Sequence, residues 1–223
     1  MKPVAAVFDL FGTLLDIASL HDVAASVASD PAAFVATWRE KQISYSFASA
    51  VMGKHEDFDA ITAYALGYTA AKYGVTLDTL RRKRLIGAWF HVAPFDDVLP
   101  ALGALRARGI RCAVLTNGTP ATASSATANA GIDGLLDAVL SVESAGVFKP
   151  DPRVYALATG HFQAPAERLM FVTSNGWDAT GAAAFGLRVA WCNRSNAPAE
   201  TFGPPPAWTI ASLLELVAIT EAP

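Results

Sequence analysis

The chain has 223 residues, 52% of them hydrophobic and 17% charged, with a formal net charge of −3. That balance can bury a sizeable core, as one α/β domain with an insertion or as two small domains, and it lies far from the composition of disordered chains. Basic residues are scattered, which gives no electrostatic case for a nucleic-acid or membrane partner. The densest basic run, Arg81-Arg82-Lys83-Arg84, falls in a helical pattern and reads as a solvated face. Cys112 and Cys192 each sit in an apolar strand-like run, which points to buried, reduced thiols. The N-terminus shows no signal-peptide pattern and no apolar stretch is long enough to span a bilayer, so a soluble cytoplasmic protein is expected.

Taken in chain order, residues 3–10 read as a buried strand that delivers Asp9 at its end. Residues 16–95 read as helical throughout. Asp30-Pro31 marks a first start, an acid at the N-cap followed by proline in the first turn. Further starts fall at Asp57 and near Asp78, and the apolar residues that follow repeat at three- and four-residue steps. From residue 97 the pattern changes to alternation. Strands are expected at 110–115, 138–141, 169–173 and 187–192, and helices at 98–108, 121–130, 153–162, 178–185 and 212–219.

Such alternation predicts an α/β fold, a doubly wound, Rossmann-like parallel-sheet core, here interrupted after its first strand by a helical cap subdomain. The expected domains are a core of residues 1–15 and 96–223 and a cap of residues 16–95. Open parallel sheets bind ligands at the carboxyl ends of their strands. Those ends carry Asp9, Thr116-Asn117-Gly118, Lys149 in the loop after the third strand, and Thr173-Ser174-Asn175. Polar residues of catalytic type end every one of them.

Four of these segments resemble the motifs of the haloacid dehalogenase superfamily. Phe8-Asp9-Leu10-Phe11-Gly12-Thr13-Leu14-Leu15-Asp16 resembles the first, which carries the nucleophilic aspartate. Leu115-Thr116-Asn117-Gly118 resembles the second, Phe148-Lys149-Pro150-Asp151-Pro152 with Tyr155 the third, and Val172 through Ala182 the fourth. Two departures separate phosphatase members from this chain. Phosphatases carry a second aspartate two residues after the nucleophile to protonate an alkoxide, where this chain has Phe11. They also carry an acidic magnesium ligand in the fourth motif, where this chain has Ser174. A halide leaves without a proton, so both losses fit the L-2-haloacid dehalogenase branch, which the sequence resembles nearly end to end. Trp38 through Tyr45, Met52 through Phe58 and the Ser-Asn-x-Trp-Asp pattern at 174–178 resemble signatures of that branch.

The resemblance implies metal-independent hydrolysis of short (S)-2-haloacids to (R)-2-hydroxyacids and halide through an aspartyl ester, with no cofactor. A phosphatase-like hydrolase of the same superfamily is the alternative, and a non-catalytic module using the same cleft is a third class. Substrate, water and halide are the implied partners, and a homodimer is the implied assembly, since relatives are often dimers. Asp9 is the implied nucleophile, beside Thr13 in the tight loop that follows it. Arg39 and Asn117 are implied to cradle the halide, and Thr116 the substrate carboxylate. Lys149 keeps Asp9 ionised, and Asp178 with Thr173 and Asn175 orients the hydrolytic water. Phe11, Ile43, Phe58, Tyr155, Ser174 and Trp177 complete the expected pocket. Thr116 and Thr173 stand where serine is usual in the branch, and Phe11 and His55 where tyrosine is; His55 is expected at the cap surface. His21, His91 and His161 match no motif and read as surface residues.

Overall fold

A computed structural model describes residues 2–221. The chain opens with strand β1 (Ala5–Phe8), every residue of it buried. Strand geometry stops at Phe8 because the Leu10 carbonyl accepts from the amides of Thr13, Leu14 and Leu15, folding residues 10–15 into a tight loop. The expected strand at 3–10 is therefore trimmed at both ends.

Helices follow: a short α1 (His21–Ala24), then α2 (Pro31–Met52), α3 (Phe58–Lys72) and α4 (Thr79–Ala88). The three long ones begin on side-chain caps, with Asp30 accepting from Ala33 N, Asp57 from Ala60 N and Asp78 from Arg81 N. Helix α2 ends on Gly53, whose φ of 64° is the left-handed conformation that closes a helix. Turns at residues 53–57 and 73–78 interrupt the helical stretch, and Arg81 through Arg84 are exposed.

The remaining elements alternate: α5 (Val98–Ala107), β2 (Arg111–Thr116), α6 (Pro120–Asn129), β3 (Ala138–Ser141), α7 (Pro152–Phe162), β4 (Leu169–Thr173), α8 (Gly176–Phe185), β5 (Arg188–Cys192), β6 (Trp208–Ile210) and α9 (Leu216–Glu221). Strand β6 is absent from the sequence reading. It is a three-residue edge strand beyond a proline-rich loop, too short to show a period. The helix expected from 212 begins as a 3-10 turn at Leu213–Glu215, set by a capping box between Ser212 and Glu215, before α9.

All six strands run parallel in the order β3-β2-β1-β4-β5-β6. Alternate residues of each strand point to opposite faces, so the sheet builds two cores. Ala6, Phe8, Cys112, Val114, Met170, Val172, Ala190 and Cys192 pack on one face, and Ala5, Val7, Ala113, Leu115, Leu169, Phe171, Val189 and Trp191 on the other. Helical-insertion residues Phe34, Trp38, Leu66 and Trp89 extend the first of these cores. Both cysteines are buried free thiols.

The strand order runs outward in opposite directions from β1 and β4. Crossovers diverge there, leaving the crevice in which this fold class binds ligands. Phe8 pairs with both Val114 and Val172, so Asp9, Thr116 and Thr173 emerge close together at one edge.

Candidate active site

Asp9 leaves β1 with its amide bonded to the Val172 carbonyl at 2.9 Å, which fixes its backbone to the centre of the sheet. The residue is 6% exposed, and its carboxylate accepts three hydrogen bonds. Oδ2 accepts from Thr13 Oγ1 at 3.1 Å and from Asn175 Nδ2 at 2.9 Å. Oδ1 accepts from Lys149 Nζ at 3.0 Å. The Thr13 hydroxyl in turn accepts from the Ser174 amide at 2.9 Å, so the loop after β1 is tied to the loop after β4. Gly12 turns the chain between them with a φ of 92°, a conformation that side chains rarely adopt.

Lys149 joins two carboxylates. Its ammonium lies 3.0 Å from Asp9 Oδ1 and 3.0 Å from Asp178 Oδ2, with all three side chains buried. Burial pulls the lysine pKa down, but Asp178 and then Asp9 more than reverse this and hold it above the ordinary value. Asp178 is fully buried in the first turn of α8, and that burial raises its pKa; Lys149 pulls it back, and the neighbouring Asp9 charge raises it further. Tyr155 donates to Asp178 Oδ1 at 2.7 Å. It is itself fully buried, so it reaches the site through Asp178. Burial first, and then the Asp178 charge, push the Tyr155 phenol well above its usual range.

Alpha8 can approach Tyr155 this closely because residue 181 is glycine. A Cβ there would fall 2.7 Å from the Tyr155 hydroxyl and 2.5 Å from Pro150 Cβ.

The loop after β2 supplies a second set of groups. Thr116 Oγ1 accepts from the Gly118 amide at 3.1 Å, and Asn117 Oδ1 accepts from the Lys149 amide at 3.1 Å. A backbone donor on Oδ1 fixes which end of the Asn117 amide is oxygen. Thr173 Oγ1 accepts from the Asn175 amide at 3.1 Å, setting the loop that aims Asn175 at Asp9. Ser174 donates its amide to Thr13 and its carbonyl accepts from Trp191 Nε1 at 3.1 Å, while its hydroxyl is buried beside the Cys192 thiol.

Arg39 comes to this edge from α2. Its guanidinium donates to the Phe11 carbonyl and to Gln42 Oε1, each at 3.3 Å. Burial holds its pKa below the ordinary value, and the Asp9 and then the Asp178 charge pull it partly back. Phe11 is 3% exposed, and its ring meets Trp89 edge-on at 5.3 Å; Trp89 meets Trp38 in the same way at 5.4 Å. Phe58 packs on Phe148 beside Lys149, and Trp177 packs on Phe47. Ile43 is half-buried on α2, and the structure gives it no polar or ring contact with this network.

Some functional positions escaped the sequence. Gln42 and Thr62 orient Arg39: Gln42 Nε2 donates to Thr62 Oγ1 at 2.8 Å, and Thr62 also receives Trp38 Nε1 on its carbonyl at 2.9 Å. Arg194 donates to the Thr13 carbonyl at 3.2 Å and to Asp97 at 2.8 Å, bracing the loop that follows Asp9. No local pattern distinguishes these side chains from ordinary helix and loop residues. His55 lies at the surface as expected, yet it also pairs with Glu143 at 3.0 Å.

Comparison with known proteins agrees with this geometry. The family model for haloacid dehalogenase-like hydrolases matches residues 4–186. An (S)-2-haloacid dehalogenase of Pseudomonas putida is 37% identical over 218 residues, 97% of each chain. A crystal structure of an L-2-haloacid dehalogenase superposes with a TM-score of 0.96 at 32% identity, covering 100% of both chains. That of the L-2-haloacid dehalogenase from Xanthobacter autotrophicus with chloropropionic acid covalently bound gives 0.92 at 30% identity, covering 99% of both. The chain belongs to the haloacid dehalogenase-like hydrolases.

Proposed function

We propose that the chain hydrolyses short (S)-2-haloacids to (R)-2-hydroxyacids and halide through an ester on Asp9. The observation that carries this reading is Phe11. At the position where an alkoxide leaving group needs a proton donor, the chain places a buried phenyl ring packed on Trp89. A leaving halide needs a cationic cradle instead, and Arg39, anchored on the Phe11 carbonyl, brings a half-buried guanidinium to the edge that carries Asp9. Relatives named (S)-2-haloacid dehalogenases and the neighbour with covalently bound chloropropionic acid support the same reading. The oxygen and nitrogen ligands at the site include Ser174 where an acidic ligand would hold magnesium, so the reading requires no metal.

In this mechanism Asp9 Oδ1 attacks the halogen-bearing carbon. Oδ2 already accepts two hydrogen bonds and Oδ1 only one, which leaves Oδ1 the spare lone pair. Displacement inverts the carbon and releases halide toward Arg39 and the amide nitrogen of Asn117. Thr116, with the backbone of its loop, holds the substrate carboxylate, while Phe11, Ile43, Phe58 and Trp177 enclose the alkyl group. Lys149 keeps Asp9 ionised for the attack. Water then adds to the Asp9 carboxyl carbon, and its proton passes to Asp178, a carboxylate that burial has made more basic. Thr173 and Asn175 shape the loop that positions this water. The tetrahedral adduct then collapses: the hydroxyacid oxygen leaves with the proton returned by Asp178, the second water proton is released as Asp9 regains its carboxylate with solvent oxygen retained, and the carbon stereocentre is untouched.

The reading includes a division into a core of residues 1–15 and 96–223 and a cap of 16–95. Support comes from the neck, where Asp16 N donates to Ala93 O at 2.7 Å and Phe95 N to Leu14 O at 3.1 Å, holding the two crossings side by side. Among the described residues no helix is long and apolar enough to cross a membrane.

The test is chloride release from (S)-2-chloropropionate in the presence of EDTA. Turnover is expected in the wild type and none in Asp9→Ala, and a single turnover in heavy-oxygen water should label the Asp9 peptide. No chloride from any short 2-haloacid, or an unlabelled Asp9, would overturn the reading.

A further inference from the structure

Asp59 has no part in the chemistry described so far, yet it makes a cluster of contacts between the cap and the core. It is the second residue of α3, and its carboxylate accepts from Thr119 Oγ1 at 3.0 Å and from Thr122 Oγ1 at 2.9 and 3.1 Å. Thr119 is the N-cap of α6 and accepts from the Thr122 amide at 3.2 Å. Both threonines are nearly buried, with 7% and 5% exposure. A carboxylate at that helix start also meets the positive end of the α6 dipole. Phe11, Phe58, Thr62 and Trp89 enclose a small cavity of about 60 Å³ together with Asp59 and Thr122.

The two elements joined here carry the two halves of the halide cradle. Helix α3 bears Thr62, which holds Gln42, which holds Arg39. The loop leading into α6 is Thr116-Asn117-Gly118-Thr119, and it carries Asn117. Other polar ties cross this seam: His55 to Glu143 is more exposed, at 27% and 25%, and exposed pairs of that kind contribute little, while Asn129 Nδ2 donates to the Phe90 carbonyl at 2.7 Å from the end of α6 opposite Asn117. By contrast, Asp178, Thr173 and Asn175, which serve ester hydrolysis, all lie on the core and need no register with the cap.

We infer that Asp59 is a positioning residue that sets Arg39 against Asn117, and so governs ester formation with halide loss rather than ester hydrolysis. The inference rests on the dehalogenase reading. Asp59→Asn keeps the shape and can still accept from one hydroxyl; Asp59→Ala removes the tie. Thr122→Val removes the hydroxyl from the other side, and Thr122→Ser restores it.

Rapid-quench single turnovers with (S)-2-chloropropionate, followed by mass spectrometry of the Asp9 peptide, separate the two steps. In Asp59→Ala, ester formation should slow by about tenfold, within what a displacement of an ångström or less can cost. Hydrolysis of the ester should change less than about twofold, since its groups lie on the core. Thr122→Val, which leaves the Thr119 bond to Asp59 in place, should slow ester formation less than Asp59→Ala; Thr122→Ser should behave as wild type, and Asp59→Ala with Thr122→Val should be no worse than Asp59→Ala alone. Equal slowing of both steps, or additive losses in the double variant, would overturn the inference, as would unchanged ester formation in Asp59→Ala. Wild type that forms no ester would count against the dehalogenase reading instead. Amide exchange along α3, faster in Asp59→Ala if the tie exists and unchanged if it does not, then decides the tie independently of the chemistry.

Discussion

Tyr155→Phe isolates a single bond on which the second half of the reaction depends. The substitution keeps the ring that packs edge-on against Phe171 at 5.7 Å and removes only the hydroxyl that donates to Asp178 Oδ1 at 2.7 Å. That bond orients the Asp178 carboxylate and keeps it ionised, so in the proposed mechanism its loss both misplaces the base and lets it protonate before it can take a proton from water. A hydrogen bond to a charged, buried group is worth about 1.5–3 kcal/mol. At about 1.4 kcal/mol per tenfold, its loss should slow ester hydrolysis by roughly 10- to 100-fold. Ester formation uses Asp9 and Arg39 and should proceed, so the Asp9 ester accumulates and kcat falls together with KM. The acid limb of the kcat profile should move to higher pH, because the lost donor had been lowering the Asp178 pKa. Gly181→Ala should produce the same signature by another route, since its methyl would displace the Tyr155 hydroxyl. The assay is steady-state chloride release across pH, with trapped ester quantified at each point. A Tyr155→Phe enzyme that hydrolyses its ester at the wild-type rate, with the acid limb unmoved, would refute the role assigned to Asp178.

Three further outcomes are expected. Arg39→Lys keeps the charge but loses the two-pronged hold on Phe11 O and Gln42, so kcat/KM for chloride release should fall by about 10- to 100-fold with little change in Tm. Thermal stability should decline as pH rises above about 10: folded Tyr155 and Lys149 both keep protons that the unfolded chain releases near 10.0 and 10.5, so the native state binds more of them. A melting series from about pH 9 to pH 11.5 should show this decline, and a flat Tm would contradict it. Burial pushes the Cys112 thiol up to about 12, so a disulfide reagent at pH 8 should leave it unlabelled in the folded chain and label both Cys112 and Cys192 after unfolding.

Legibility in the sequence followed the range over which each feature is encoded. Asp9, Lys149 and Asp178 stood out because each lies in a contiguous motif, although Lys149 meets Asp9 across 140 positions. The parallel sheet was legible for a similar reason: apolar runs such as Leu169–Thr173, bounded by turns, are local signals. Helix starts at Asp30, Asp57 and Asp78 were legible because a cap is a matter of three consecutive residues. Gln42, Thr62, Asp59 and Arg194 were not, since their importance lies wholly in partners brought near by folding. A glutamine or threonine on a helix carries no mark of what it will face. Strand β6 was hidden by brevity, its pairing with β5 supplying the regularity that Trp208–Ile210 lacks.

Asp9 follows the strand of this sheet that comes first in chain order, and that strand lies in the middle of the finished sheet, flanked by β2 and β4. Two partners of Asp9, Lys149 after β3 and Asn175 after the neighbouring β4, lie 140 and 166 residues further along. During synthesis β1 therefore waits with both edges unpaired until partners far down the chain emerge, a state that is slow to resolve and open to pairing with other chains. Asp9 becomes a defined, charged and oriented group only when the loop after β4 closes over it. A nascent or truncated chain lacking that loop holds a carboxylate but not a site.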